Sequence, residues 1–597
     1  MGLWADFKRE FSYIRNSRHL LAAIKDVDAA SENLLTDDIE KTVDKFPSRP
    51  AFIGHDREWS YAEFDAYANR VAHWAQSRGC QPGDTAALFV GNRLEYVALW
   101  FGLSKVGVIP ALINFNLRAQ ALAHCVNISN AKLCIIDHDL LSDWQSCEQY
   151  LKSDHAVVCA FGSSDGYDNF DDELSTMSAV RPARSVRSGI KAGDMFMKMF
   201  TSGTTGMPKA AKITHTRAQY YFRGFATAAR CTPKDRVLMV LPLYHATGGL
   251  CGVGMALSYG GAVIVRPKFS ASSFWDEAVD YGATIMMYVG ELCRFLLLAP
   301  PHPKERAHKL RYIVGNGLGR DVWEKFVARF NIPNVMEFYG ATEGNISLLN
   351  LGGPAGSVGR IPDYMRKKIN GDLISYDVET GSHVKGPDGF YQRAAVGEVG
   401  ELIGEIRPGE TRFRYDGYED KQASNKKILR NVYVKGDMWF RTGDLLWRDE
   451  HGYYFFADRM GDTFRWKAEN VSTGEVAAAL SGFDGVQQAN VYGVTIPGYD
   501  GRAGMASLVC ESGIDLAGLH AHIQNALPAY ARPVFLRISA ETDTTSTFKF
   551  RKSNLVKQGF DPAIVKDQLY VDHPDKGGYE KLTPAIFKQI LQGKLKF

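Results

Sequence analysis

Apolar runs bounded by glycine alternate with amphipathic stretches through most of the chain. Residues 52–59 alternate apolar and polar like a strand, and residues 65–79 read as a helix stopped by glycine. Residues 85–90 form an apolar run typical of a buried strand, and 94–106 a helix that ends at Gly107. Short strands are predicted at 109–113 and 134–137, and an acidic connector (DDIEK) precedes this region. Buried strands alternating with helices imply parallel sheets covered by helices on both faces. The pattern returns, without a sequence repeat, from Asp194 to about Gly359. Between 397 and 453 the pieces become short and β-rich with glycine turns (GEVGELIGEI, DGYED, RTGDLLW), suggesting a small barrel or sandwich. From about Asp458 mixed helix and strand resumes, after a polar break that follows the aromatic run YYFFA. The expected organisation is an amphipathic segment at 1–34, a large domain at 35–458 and a smaller domain at 459–597.

Two stretches bear on membranes. Residues 237–265 carry no Asp, Glu, Lys or Arg, a length that resembles a span. They also hold Pro242, His245, Thr247 and scattered glycines, which leave backbone groups unpaired in lipid. A buried strand (VLMVLPL), loop, helix and second buried strand (GAVIV) explain the run better. At the N-terminus Leu3, Trp4, Phe7, Phe11, Ile14 and Leu21 recur on one helical face, and Lys8, Arg9, Arg15, Arg18 and Lys25 outnumber Asp6 and Glu10. The apolar face of residues 1–25 packs either on the protein's own body or into an anionic membrane surface. No secretory signal is recognisable, and Asp6 stands where N-myristoylation needs Ser or Thr. The expected location is cytoplasmic, with peripheral contact at the cytoplasmic membrane face as the open alternative.

Composition narrows the classes further. A 597-residue chain has room for about four compact units, and 45% hydrophobic with 23% charged residues is a globular mixture. Lys and Arg number 70 against 67 Asp and Glu, a net charge of +3, so there is no basic footprint for a nucleic-acid partner. Nine scattered cysteines without a C-x-x-C pair read as reduced thiols rather than a disulfide framework or zinc module.

The chemistry concentrates in MFTSGTTGMPKAAKITH, residues 199–215. An apolar strand leads into Thr201, Ser202, Gly203, Thr204, Thr205 and Gly206, then Lys209. Glycines let backbone N–H groups turn toward an anion, the hydroxyls add donors, and the lysine adds a point charge. That is a polyanion cradle. It is not a Walker loop, because Pro208 and Ala210 stand where that motif needs Gly and Ser or Thr.

FTSGTTGMPK resembles the signature of the adenylate-forming superfamily of acyl-CoA synthetases, adenylation domains and luciferases. LPLYH (241–245), FYGATEGN (338–345), GEVGEL (397–402), RTGDLL (441–446), DRMGDTFRWKAENVSTGEVA (458–477) and TSTFKFRK (545–552) follow in the superfamily's order. FYGATEGN, GDTFRWKAENVST, the TSTFK run, SNKKILRNVYVKGDMWFRTGDLL and the tail from Tyr579 are most similar to the fatty acid transport protein/very-long-chain acyl-CoA synthetase family. The likeness spans roughly residues 35 to 597. It implies an α/β fold: a large N-terminal domain of two α/β subdomains plus a small β-barrel-like subdomain, and a smaller mobile α+β C-terminal domain.

The resemblance also implies roles. A carboxylic acid is a poor acyl donor until ATP converts it to acyl-AMP, from which a thiol, CoA, displaces AMP. Residues 201–206 and Lys209 would hold the β,γ-phosphates. Glu343, with Thr204, would bind Mg²⁺ as hard oxygen ligands. Tyr339 would stack on adenine beside the backbone of Gly315, Asn316 and Gly317, with Gly340 and Thr342 adding nucleotide contacts. Asp444 would accept ribose hydroxyls and Arg459 would contact ribose or phosphate. Lys549, on the small domain, would reach the substrate carboxylate and α-phosphate. His245 would sit between acyl site and thiol entrance, and Lys467, Ala468 and Asn470 along the CoA channel. Residues 288–298 (YVGELCRFLLL) suit an apolar acyl wall or an ordinary core helix equally.

Three positions depart from the superfamily pattern: Gly461 at the hinge, Ala468 in place of a glycine beside the pantetheine tunnel, and Ser546 before the Thr-Phe-Lys run. The implied activity is ATP-dependent ligation of long- or very-long-chain fatty acids to CoA. The alternatives are an acyl-AMP ligase loading a carrier protein, and a membrane-associated fatty-acid uptake or binding protein without turnover.

Overall fold

A computed structural model describes residues 2–152, 155–201, 207–366, 368–377, 380–467, 469–499, 501–541 and 552–597. Two parallel sheets form its large part. In the first, Thr85–Phe89, Ile109–Leu112, Ala131–Asp137 and Ala156–Ala160 run parallel, and every residue of Thr85–Phe89 is buried. The hairpin Met195–Thr201 and Lys209–Thr214 closes one edge of it. In the second, Pro50–Ile53, Ala262–Val265, Arg236–Met239, Ile285–Val289, Tyr312–Asn316 and Val335–Gly340 lie parallel in that order. Antiparallel strands Glu58–Ser60 and Ser347–Leu349 flank it.

The sheet assignments correct the sequence reading in three places. Residues 52–59 are not one strand but a hairpin, turned where Gly54 N–H meets Arg57 C=O at 2.9 Å. That hairpin belongs to the second sheet, while residues 195–214 belong to the first, so the chain starts in one sheet and returns to it later. The following helix begins at Tyr61, not 65, because Ser60 caps it and Glu63 closes a reciprocal capping box.

The acidic stretch expected as a connector is instead a helix, Leu35–Lys45. Its carboxylates neutralise buried cations: Lys105, fully buried, bonds Glu40 and Asp65 at 2.8 Å each, and Arg187 bonds Asp37 at 2.7 Å. Charges taken out of water need such partners.

The uncharged run folds as expected, from strand Arg236–Met239 through a π-helical turn, Ala246–Gly252, to helix Val253–Leu257 and strand Ala262–Val265. Among the described residues no helix is long and apolar enough to cross a membrane. All nine cysteines are free and eight are buried. The third sheet is antiparallel, in the order Ser357–Arg360, Tyr453–Arg459, Met438–Arg448, Gly400–Ile406, Gly371–Asp377 and Ser382–His383, with Ile428–Arg430 beside Met438–Arg448.

From Phe464 onward the chain builds a separate core. Phe464, Trp466, Leu480, Met505 and Phe535 centre it, around a five-stranded mixed sheet and the helices Thr473–Ser481, Leu516–Ala526 and Pro584–Leu591. At the other end, helix Gly2–Ile24 is tied to the third sheet, where Arg360 pairs with Glu10 and the Tyr364 hydroxyl donates to Glu10 at 2.7 Å. Its Trp4, Phe7, Phe11 and Ile14 face solvent.

Candidate active site

The segment expected to cradle an anion joins the two strands of the first sheet's edge hairpin, in which Thr201 and Lys209 are directly paired. Ser202, Gly203, Thr204, Thr205 and Gly206 lie outside the described residues. The two ends of the segment meet a residue the sequence analysis did not single out, Tyr418. Its hydroxyl faces Glu343 and Thr201, and the Lys209 ammonium lies 5.5 Å from its ring centroid. Burial, with Glu343 beside it, pushes the Tyr418 phenol well above its ordinary range. The Tyr418 segment is fixed by Lys212 N–H to Gly417 C=O and Glu419 N–H to Ala210 C=O, both 2.9 Å. Thr201, Lys209 and Glu343 therefore share one locus.

Glu343 is largely buried and has a cation nearby: the Lys427 ammonium is 3.9 Å away and donates to Thr442 C=O at 3.0 Å. Lys427 was also not picked out from sequence. Behind Glu343, the buried Arg217 donates to Ala341 C=O at 2.9 Å and fixes the turn that presents Thr342 and Glu343. A carboxylate among hydroxyls is a hard-oxygen environment that fits Mg²⁺, an ion that keeps few protein ligands and takes the rest from phosphate and water.

Tyr339 lies near the end of a buried strand and its hydroxyl donates to Asp444 Oδ2 at 2.5 Å. Burial and the Asp444 charge together hold this phenol protonated far above its usual range. Asp444 is oriented by its own N–H donating to Thr442 Oγ1 at 3.0 Å. Its strand neighbour across the sheet is Arg459, with Nε 3.8 Å from Asp444 Oδ1. A further buried carboxylate, Glu401, supports this turn by accepting Gly443 N–H at 2.8 Å and the Arg441 guanidinium at 3.3 Å. Gly340, next to Tyr339, is exposed and pairs with Ser347.

Gly315 and Asn316 end the adjacent strand and Gly317 follows it, and a Cβ on Gly315 would lie 2.1 Å from Tyr288 C=O. Gly317 takes φ +80°, a conformation open to glycine. The loop hangs on Glu337, which accepts Gly317 N–H at 2.5 Å and Leu318 N–H at 3.1 Å and is hydrogen-bonded to the Tyr288 hydroxyl. Burial pushes the Glu337 carboxyl up to about 8. Tyr288 thus braces the 315–317 loop, while Leu292, Cys293 and Leu296 of the following helix are core and Leu298 is exposed.

His245 opens the π-helical turn, its Nδ1 accepting Thr247 N–H at 3.5 Å. Asn92 fixes the segment before it by bonding Leu241 C=O and Leu243 N–H, both 2.9 Å. Such π-turns break the regular ladder and are frequent at functional positions.

At the start of the small domain, the buried Asp458 carboxylate accepts Thr473 N–H at 2.8 Å, and Lys552 bonds Thr473 Oγ1 at 2.8 Å and Asp462 at 3.1 Å. Gly461 has φ +88° with open space around it, so glycine serves the backbone conformation there rather than close packing. Exposed Lys467 also takes a left-handed φ, +52°, at the tip of the hairpin Phe464–Trp466 and Glu469–Val471. Ala468, the Asn470 side chain, Ser546 and Lys549 lie outside the described residues. The structure thus brings together Thr201, Lys209 and Glu343, and separately Tyr339, Asp444 and Arg459.

Comparison with known proteins identifies the family. Residues 39–403 match the family model of AMP-binding enzymes, and 475–549 that of the AMP-binding enzyme C-terminal domain. The chain is 39% identical over 578 residues to long-chain fatty acid transport protein 6 of Mus musculus, covering 94% of this chain and 92% of that one. It is 38% identical over 565 residues to long-chain fatty acid transport protein 1 of Homo sapiens, covering 93% and 87%. Among solved structures, the anthranilate CoA ligase AuaEII in complex with anthranoyl-AMP superimposes with a TM-score of 0.74 at 20% identity, over 87% of this chain and 96% of that one, a likeness of fold. The chain belongs to the AMP-binding enzyme family, the AMP-forming acid–thiol ligases, and within it to the fatty acid transport protein/very-long-chain acyl-CoA synthetase branch.

Proposed function

We propose that this chain joins long- or very-long-chain fatty acids to CoA through an acyl-AMP intermediate. The observation that carries the reading is the meeting at Tyr418 of Thr201 and Lys209 from the anion cradle with Glu343. In the first step a substrate carboxylate oxygen attacks the α-phosphorus of ATP and pyrophosphate leaves. Residues 201–206 and Lys209 hold the departing phosphates, Tyr339 and the 315–317 loop hold adenine, and Asp444 and Arg459 hold ribose. Glu343, with Thr204, would hold Mg²⁺, which when bound offsets charge on the phosphates. Lys549 steadies the carboxylate and the α-phosphate oxygens. In the second step the thiol sulfur of CoA attacks the acyl carbon and AMP leaves. His245 stands at the thiol entrance, and residues 467, 468 and 470 line the approach after the small domain rotates on Gly461.

The substrate class rests on the relatives named for long-chain fatty acid transport. Consuming free acid by ligation also draws more acid inward, which couples turnover to uptake. The same reading includes membrane contact. Trp4, Phe7, Phe11 and Ile14 expose 65%, 60%, 59% and 45% of their surface on one side of the first helix, stacked ring on ring, and Arg15, Arg18 and Lys25 continue that side. Aromatic groups beside a basic stripe suit the headgroup boundary of an anionic membrane.

The test is pyrophosphate release across a chain-length series. The proposal expects kcat/KM to rise from short to long acids, and a preference for short or aromatic acids would overturn the substrate assignment.

A further inference from the structure

A cleft of about 760 Å³ lies between the first helix and the body of the protein, within the size range of small-molecule sites. It opens at the start of strands Tyr312–Asn316 and Val335–Gly340, whose opposite ends carry the nucleotide residues, so it is separate from the site above. Arg15 and His19 enter it from the first helix and Arg230 from the body, and none of the described residues lining it is a carboxylate. Arg230 is turned toward the helix, its Nη2 donating to Asn16 Oδ1 at 3.4 Å. Its backbone holds φ +50°, locked by Arg311 donating to its carbonyl at 3.0 Å. Its lining is mixed, with Trp323 and Met336 among the apolar residues. Arg15 lies at the edge of the helix that also carries exposed Trp4 and Phe11, so the cleft mouth adjoins the aromatic face.

We propose that this cleft binds the phosphate headgroup of an anionic phospholipid, with Arg15, His19 and Arg230 donating to the phosphate oxygens. The inference rests on the membrane contact proposed above and adds to it a specific lipid. Charge complementarity selects the occupant: two guanidiniums without an opposing carboxylate match a phosphate, and guanidinium forks bind phosphate in two-point geometry. The apolar part of the lining would take the glycerol end of the lipid while the aromatic face enters the boundary layer beside it.

The test is cosedimentation of the full chain with three kinds of vesicle: phosphatidylcholine alone, with phosphatidic acid, and with phosphatidylglycerol at matched surface potential. The wild type is expected to bind the phosphatidic acid vesicles roughly tenfold more tightly than the phosphatidylglycerol ones, the scale of one charge-assisted hydrogen bond. Arg15→Gln with Arg230→Gln should erase that preference, whereas Lys8→Gln with Arg18→Gln should weaken both alike. Turnover of detergent-dispersed acid, unchanged in both variants, checks folding. Equal losses in the two double variants, or wild-type binding set by surface potential alone, would overturn the cleft and leave the membrane contact standing. Failure of the wild type to bind any vesicle would overturn both.

Discussion

The Tyr339 hydroxyl donates to Asp444 Oδ2 at 2.5 Å, joining the end of a parallel strand in the second sheet to the antiparallel third sheet 105 residues later. This bond ties the two sheets together at the proposed nucleoside end of the site. Tyr339→Phe removes a hydrogen bond to a charged group, about 1.5–3 kcal/mol. We expect the KM for ATP to rise by roughly tenfold or more, with kcat changed less. Steady-state pyrophosphate release at varied ATP measures it, and an unchanged KM would remove Asp444 from the ribose role.

Tyr418 is the corresponding link at the proposed phosphate end. Tyr418→Phe keeps the ring beside Lys209 but removes the hydroxyl that faces Glu343 and Thr201. ATP–pyrophosphate exchange should slow by about 10- to 100-fold, since positioned electrostatic groups contribute on that scale. The Mg²⁺ concentration for half-maximal rate should rise, while the melting temperature stays near the wild-type value. A loss of melting temperature without a shift in Mg²⁺ dependence would make Tyr418 structural only.

Glu337 gives a pH signature. Burial raises its carboxyl to about 8 from an ordinary 4.5, so the folded chain keeps a proton that the unfolded chain has released. Its contribution to stability is fully present below about 4.5 and is lost as pH rises through about 8. Glu337→Gln should flatten the fall in melting temperature over that interval. Because the amide oxygen can still accept Gly317 N–H, the KM for ATP should stay closer to wild type than in Glu337→Ala.

Lys105 tests the buried ion network. Lys105→Met leaves Glu40 and Asp65 short of a cation in the interior, which should cost about 3 kcal/mol. The denaturation midpoint reads this loss. Adding Asp65→Asn should recover part of it, and a single variant as stable as the wild type would contradict the network's role.

The alternating α/β pattern, the uncharged run as buried core and the order of the chemical motifs were legible because each depends on local periodicity or contiguous residues. Sheet membership was not. Residues 52–59 look like a strand from alternation alone, and only the distant pairing of Phe52 with Val263 places them beside the second sheet. The 37–41 stretch looks like a solvated connector because its cations, Lys105 and Arg187, are far along the chain. The helix start at Ser60 was available in the Ser-x-x-Glu spacing. At the site, Tyr339, Glu343 and Asp444 stand in contiguous motifs, whereas Tyr418, Lys427 and Glu337 act through contacts between segments distant in the chain that no local pattern carries.

The most direct measurement is the product formed from a long-chain acid and ATP with and without CoA, in the wild type and in Lys549→Ala and Glu343→Gln. The expected wild-type result is acyl-CoA, AMP and pyrophosphate in equal amounts, with AMP release accelerated by CoA. Both variants should lose adenylation by about 10²-fold or more. AMP release unaffected by CoA, with no thioester formed, would contradict ligation, and undiminished turnover in both variants would contradict the site.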